Sequence, residues 1–242
     1  MNAWGMTDIG LVRSENQDTY SVVQESTATI CVVCDGMGGA SGGRLASTIA
    51  VEMYTRELSK LLLSEMSAEQ LREASAYAVS IANEAVRSKA KESEDYRGMG
   101  TTLVSAVTYS EGVVVTNVGD SRAYRINQDG ITRLTRDHSL VEHMVERGDI
   151  TEEEARRHPN RNLITRALGL EEHTQCDGFI CPLEKGDFVL LCSDGLTNMV
   201  SDDVIHETAL NTKNPEAFCK KLIELALDAG ANDNVTVVAL SR

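Results

Sequence analysis

Three stretches of the chain stay apolar over several residues and then stop abruptly at an aspartate. Residues 29–34 run into Asp35-Gly36, residues 113–119 into Asp120-Ser121, and residues 188–193 into Asp194-Gly195. A fourth aspartate, Asp233, stands just before the apolar run 235–240. Runs of this length, rich in Val and flanked by Gly, predict buried strands. A carboxylate at the mouth of a buried strand is costly unless a cation offsets it. If the strands lie side by side, their ends gather several carboxylates in one cleft. Such a cluster suits hard divalent ions, because Mg2+ and Mn2+ prefer oxygen ligands. One Asp-Gly after a strand is an ordinary turn; its repetition favours the metal reading.

Around these runs the pattern predicts further strands at 3–8, 18–24, 101–109, 112–118, 122–127 and 131–134. Asn127-Gln128-Asp129-Gly130 supplies a hairpin turn between the last two. A glycine-rich loop at 36–43 precedes two long helices. Leu45, Ile49, Met53, Leu58, Leu61 and Leu62 keep helical spacing, as do Leu71, Ala74, Ala78, Ile81 and Ala85. Ser67 with Gln70 forms a candidate capping box for the second helix. Residues 137–172 break this rhythm. They are polar, with short helical pieces near 139–147 and 151–158, and read either as a lid over the strand ends or as a plain helical connection. As a lid, the segment is expected to be less stable locally than the sheets. Strands near 175–181 and 187–192, helices at 201–210 and 215–229, and a final strand to Leu240 complete the chain. Clustered strands with paired helices predict an α+β fold of antiparallel sheets packed between helices.

At 242 residues and 26.3 kDa the chain is expected to form a single domain, 1–242, with a substantial core. A net charge of −14 argues against nucleic acid, which requires a basic footprint. Bound divalent cations would offset part of that charge, and the rest makes a solvated acidic surface. No run approaches the ~20 apolar residues of a membrane helix, and the first residues lack the basic region and apolar core of a signal peptide. A cytoplasmic location without membrane attachment is therefore expected. Cys31 and Cys34, three apart on a strand, fall on opposite faces and should neither pair nor chelate together. The other four cysteines read as reduced core residues.

The glycine loop is not a P-loop, because no Lys-Ser/Thr pair follows it, and Ser41 stands where G-x-G-x-x-G needs its third glycine. No cysteine has Arg six positions on, as a cysteine-nucleophile phosphatase requires. What the chain does carry, in order, is Arg13-Ser14-Glu15-Asn16-Gln17-Asp18, Asp35-Gly36-Met37-Gly38-Gly39, Gly100-Thr101-Thr102, Gly119-Asp120-Ser121-Arg122, Ser193-Asp194-Gly195 and Asp233-Asn234-Val235-Thr236. This series resembles the metal-dependent protein phosphatases of the 2C type over essentially the whole chain, most closely the compact bacterial members.

The resemblance implies a four-layer α-β-β-α sandwich, two central antiparallel sheets flanked by helices, with a flap at about 137–172. It implies that Asp35 bridges two metals, Mn2+ or Mg2+, with the Gly36 carbonyl on one and Asp194 and Asp233 completing the other. Asp120 with Asp194 matches the third-metal site of bacterial members. Arg13 matches the phosphate-gripping arginine, and Asp18 the residue that orders metal-bound water. Two metals ~3.5–4 Å apart can share a hydroxide that attacks phosphorus in line. The implied activity is hydrolysis of phosphoserine and phosphothreonine in proteins by a monomer opposing a serine/threonine kinase. The alternatives are a small-molecule phosphohydrolase and a catalytically silent regulatory module of the same fold. Two residues depart from relatives. Met37 replaces a histidine proposed as general acid in many eukaryotic members, leaving metal-bound water or His138 as the proton source. Gln17 stands where some relatives place an acidic metal-site residue.

Overall fold

Along strand β3 (Thr29–Met37), alternate side chains enter two different cores. Ile30, Val32 and Cys34 pack with Ala46, Ala50, Tyr54 and Leu58 of a helix, whereas Cys31 and Val33 pack with Val104, Val189, Leu191 and Val238 of both sheets. Period-two alternation on a strand buried on both faces produces this division. A computed structural model describes residues 1–242, apart from the side chains of Ala40 and Ser41. In it the second sheet behaves likewise: Tyr124, Ile126, Leu190, Cys192, Val237 and Ala239 pack with Phe218, Leu222 and Ala226. The outcome is four layers, helix–sheet–sheet–helix.

One sheet has the order β1 (Asn2–Asp8), β11 (Val235–Ser241), β10 (Phe188–Cys192), β7 (Arg122–Asn127) and β8 (Gly130–Arg133). The other runs β2 (Asp18–Gln24), β3, β5 (Leu103–Thr108), β6 (Gly112–Val118) and β9 (Asp177–Pro182), with β4 (Gly100–Thr101) paired to the end of β3. Every pairing is antiparallel. Helices α1 (Gly39–Leu61) and α2 (Ala68–Ala90) cover the sheet that contains β3, and α6 (Asp202–Leu210) and α7 (Pro215–Asp228) the sheet that contains β11. Ser67 and Gln70 form the reciprocal capping box of α2, and Asn214 caps α7 ahead of Pro215. Cys31 and Cys34 lie in different cores, and all six cysteines are unpaired. No helix among the described residues is long and apolar enough to cross a membrane.

The chain departs from the sequence pattern at the places that carry chemistry. Strand β3 does not end at Asp35 but continues to Met37, because Gly36 and Met37 pair with Thr101 and Gly100. The apolar run 101–109 is split at Thr102, whose N–H turns to the Asp35 carbonyl at 2.9 Å. Asp194 opens a short helix, α5 (Asp194–Thr197), rather than a turn. Segment 137–172 holds α3 (Leu140–Glu146) and α4 (Glu152–Arg157), the latter with no buried residue. Its roots are firmly tied. Arg122 Nη2 bonds Asp137 at 2.7 Å at one end, and the buried Asn83 Oδ1 accepts from Gly169 N–H at 2.8 Å at the other.

Candidate functional site

The aspartate-bearing ends of the two sheets open onto one cleft of about 510 Å3, lined among others by Arg13, Glu15, Asp35, Asp120, Asp194 and Asp233. Each aspartate arrives by its own local route. Asp35 lies directly opposite Asp18 in the β2–β3 register. Its backbone is gripped by Thr102, which donates N–H to the Asp35 carbonyl and accepts the Asp35 N–H on Oγ1, both at 2.9 Å. Gly36 follows, where a Cβ would strike the carbonyls of Gly43 and Gln17, so only glycine lets α1 close over this corner. Asp120 follows Gly119, held at φ 105, where a side chain would meet Thr102. Asp194 sits in the first turn of α5, where the helix dipole favours a negative charge, and accepts from Asn198 Nδ2 at 3.0 Å. Asp233 accepts from Arg13 Nη2 at 2.7 Å and from the Asn234 N–H at 2.9 Å.

The electrostatics of this arrangement are unfavourable for protein alone. Burial pushes the Asp35 carboxyl well above the ordinary range, with Asp18 the foremost of four neighbouring charges that add to it. Burial lifts Asp18 to about 6, against a 2.7 Å hydrogen bond from the Ser193 hydroxyl. Asp120 rises to about 8, through burial and then the charge of Asp194; Asp194 itself is raised by burial and by Asp233. Asp18 Oδ1 is buried without a partner. Like charges facing each other across a strand pair are destabilising, and Arg13 is the one cation on the cleft wall among the described residues. Oxygen-only donors, an excess of recessed negative charge and an orphaned carboxylate oxygen together fit hard divalent cations. Among the described residues no three His, Cys, Asp or Glu side chains converge closely enough to hold a metal ion by themselves. The carboxylates line an open cleft, which leaves room for the water ligands that Mg2+ retains.

A pH dependence follows for metal-stripped protein. Asp18 and Asp120, at about 6 and about 8, bind protons more tightly folded than in an unfolded chain, where Asp titrates near ~3.9. The native state therefore holds more protons between those values, and stability falls as pH rises. Thermal unfolding in chelator is expected at a lower temperature at pH 8 than at pH 5. Added Mn2+ should remove most of that difference, since metal replaces the protons. A stripped protein more stable at pH 8 than at pH 5 would contradict the assignment.

The structure separates the remaining candidates. Asp18 is buried behind Asp35 rather than on the cleft wall. Met37 and Gln17 do line the cleft, and Gln17 Nε2 is committed to the Gly39 carbonyl at 2.9 Å. His138 does not reach it. It is buried, its N–H donates to the Gly119 carbonyl, and its Nδ1 accepts the Gly119 N–H, both at 3.0 Å. The ring proton is thereby assigned to Nε2, which faces Asp177 Oδ2 at 3.3 Å. His138 clasps the residue ahead of Asp120 and offers no proton to the cleft. Sequence reasoning missed the supporting hydroxyls of Thr102 and Ser193 and the amide of Asn234. All three stood in the motifs, but nothing in a linear pattern shows which backbone atoms a short polar side chain will meet.

A family model described as protein phosphatase 2C matches residues 12–229. The serine/threonine phosphatase stp of Listeria monocytogenes is 37% identical over 246 residues, covering 100% of this chain and 96% of that protein. The crystal structure of serine/threonine phosphatase Stp1 from Staphylococcus aureus superposes with a TM-score of 0.93 at 36% identity, over 99% of this chain and 94% of that one. The catalytic domain of the serine/threonine protein phosphatase PstP, solved in complex with 2 manganese ions, gives 0.83 at 33% identity, over 98% and 96%. With the family model spanning most of its length and relatives covering all of it, the chain belongs to the protein phosphatase 2C family.

Proposed function

We propose that this chain hydrolyses phosphoserine and phosphothreonine in proteins, as one catalytic domain over residues 1–242, using Mn2+ or Mg2+ held by Asp35, the Gly36 carbonyl, Asp194 and Asp233. The observation that carries this reading is the row of recessed aspartates in one cleft with the Arg13 guanidinium on its wall. Relatives named as serine/threonine phosphatases favour protein substrates over a small phosphate ester or a silent regulatory module. When bound, the divalent ions supply a nucleophile from water at neutral pH and offset charge on the phosphoryl oxygens.

The chain's own residues do the rest. Arg13, tethered to Asp233 at 2.7 Å, stands at the cleft rim with a planar fork that suits two phosphoryl oxygens. Asp18, fixed by Ser193, presents its free Oδ1 to order water behind Asp35. The thioether of Met37 cannot donate a proton, so the leaving alkoxide draws its proton from water in the open cleft. A phosphorylated protein, a kinase that generates it, a cytoplasmic setting and a monomeric state complete the proposal. The charge of −14 disfavours nucleic acid as a partner.

The deciding test is phosphate release from a phosphothreonine peptide in Mn2+, with and without chelator. Activity that survives full chelation ends the metal assignment, and activity on small esters alone ends the protein assignment. Asp120 with Asp194 is proposed to hold a third ion. Asp120→Ala should remove the weakest class of Mn2+ sites in a calorimetric titration and lower turnover by roughly tenfold, the scale on which metal affinity responds to nearby groups. An unchanged titration with full activity would remove this part of the proposal.

A further inference from the structure

We propose that Asn234 is a positioning residue for the phosphate grip, locking the loop that carries Arg13. Asn234 is 4% exposed, and its side chain is fully committed. Nδ2 donates to the Ile9 carbonyl at 2.9 Å and to the Glu15 carbonyl at 3.0 Å, while Oδ1 accepts the Gln17 N–H at 2.8 Å. These three backbone atoms bracket Arg13 on both sides, so one amide spends both donors and its acceptor on a single loop.

The loop has little else to hold it at its tip. Leu11 and Val12 are 65% and 69% exposed, and the Arg13 side chain is half exposed. The other ties are Leu11 N–H to the Ala231 carbonyl at 2.8 Å and, nearer its ends, Gly10 N–H to Asp8 Oδ1 at 2.8 Å and Asn16 Nδ2 to Thr7 Oγ1 at 2.9 Å. At Gly10, φ is 76 and a Cβ would collide with the Asp233 carbonyl, so the loop lies directly on the backbone that carries the metal-site aspartate. Asn234 is the next residue along that backbone, and Arg13 reaches Asp233 at 2.7 Å. Adjacent residues thus set the guanidinium and the carboxylate in register. A flexible arginine on an unlocked loop would pay ordering entropy with each phosphate it binds.

This inference rests on reading Arg13 as the phosphate grip, and its test separates the two. The Mn2+-loaded protein, Asn234→Ala, Arg13→Ala and the double variant are compared for binding of inorganic phosphate, KM and kcat on a phosphothreonine peptide, and Mn2+ affinity. Asn234→Ala is expected to weaken phosphate and raise KM by roughly 10- to 10²-fold, with Mn2+ affinity unchanged. In the Arg13→Ala background the same substitution should cost nothing further. An equal loss in both backgrounds, or a loss confined to Mn2+ binding, overturns the Asn234 inference alone. Full phosphate affinity in Arg13→Ala takes both readings down. If thermal unfolding shows Asn234→Ala to be unfolded, Asn234→Asp keeps the acceptor for Gln17, removes both donors, and is put through the same comparison.

Discussion

Replacing Asp35, Asp194 or Asp233 by asparagine, one at a time, is expected to leave a folded protein that hydrolyses a phosphothreonine peptide on the order of 10³-fold more slowly. Each change keeps the shape of the side chain and removes one charge from the cleft. The fold should survive for a reason visible in the metal-free electrostatics: burial and neighbouring carboxylates already hold Asp35 and Asp194 above the usual range, so neutralising either relieves repulsion. Melting temperature in chelator should therefore hold or rise for Asp35→Asn and Asp194→Asn, while the increase produced by Mn2+ shrinks. Asp233→Asn differs, because it also loses the pair with Arg13. That pair is exposed enough, at 52% and 30%, to contribute little, within about 1 kcal/mol. Chelation of the unsubstituted protein should reproduce the activity loss. Wild-type turnover in any one of the folded variants refutes the ligand set.

Much of the architecture was legible because the strands obey simple rules. Alternation in 29–34 assigns Ile30, Val32 and Cys34 to one core and Cys31 and Val33 to another, and the paired helices are marked by helical spacing and the Ser67 cap. The aspartates were legible for a related reason, since a charge ending an apolar run stands out. What escaped was long-range backbone pairing. Nothing local to residues 35–37 announces that β4 will extend the strand past Asp35, and the Thr102 contacts that split the following run span 67 residues. Segment 137–172 escaped for the opposite reason. Its polarity fits α4, which buries nothing, but its ends are buried at Asp137, His138 and Leu168, and the anchors at Arg122 and Asn83 lie elsewhere in the sequence. His138 shows the limit most clearly. Beside Asp137 in a polar stretch it reads as available chemistry, yet both its backbone N–H and its ring are spent on Gly119.

That assignment of His138 sharpens the question of the missing acid. Met37 lines the cleft where many eukaryotic relatives are expected to carry histidine, and a thioether has no proton to give. An alkoxide leaving from phosphoserine needs protonation, whereas an aryl oxide departs without it. Met37→His is therefore expected to raise the rate on a phosphoserine peptide relative to an aryl phosphate, by up to the ~10²-fold low end of general acid catalysis. The gain should disappear at high pH as the imidazole loses its proton. His138→Gln, by contrast, should slow both substrates alike, because it loosens the Gly119 clasp without touching a proton path into the cleft. The decisive quantity is the ratio of the two rates in each variant. A ratio unchanged in Met37→His, together with selective slowing of phosphoserine cleavage in His138→Gln, would make His138 the donor and reverse this assignment.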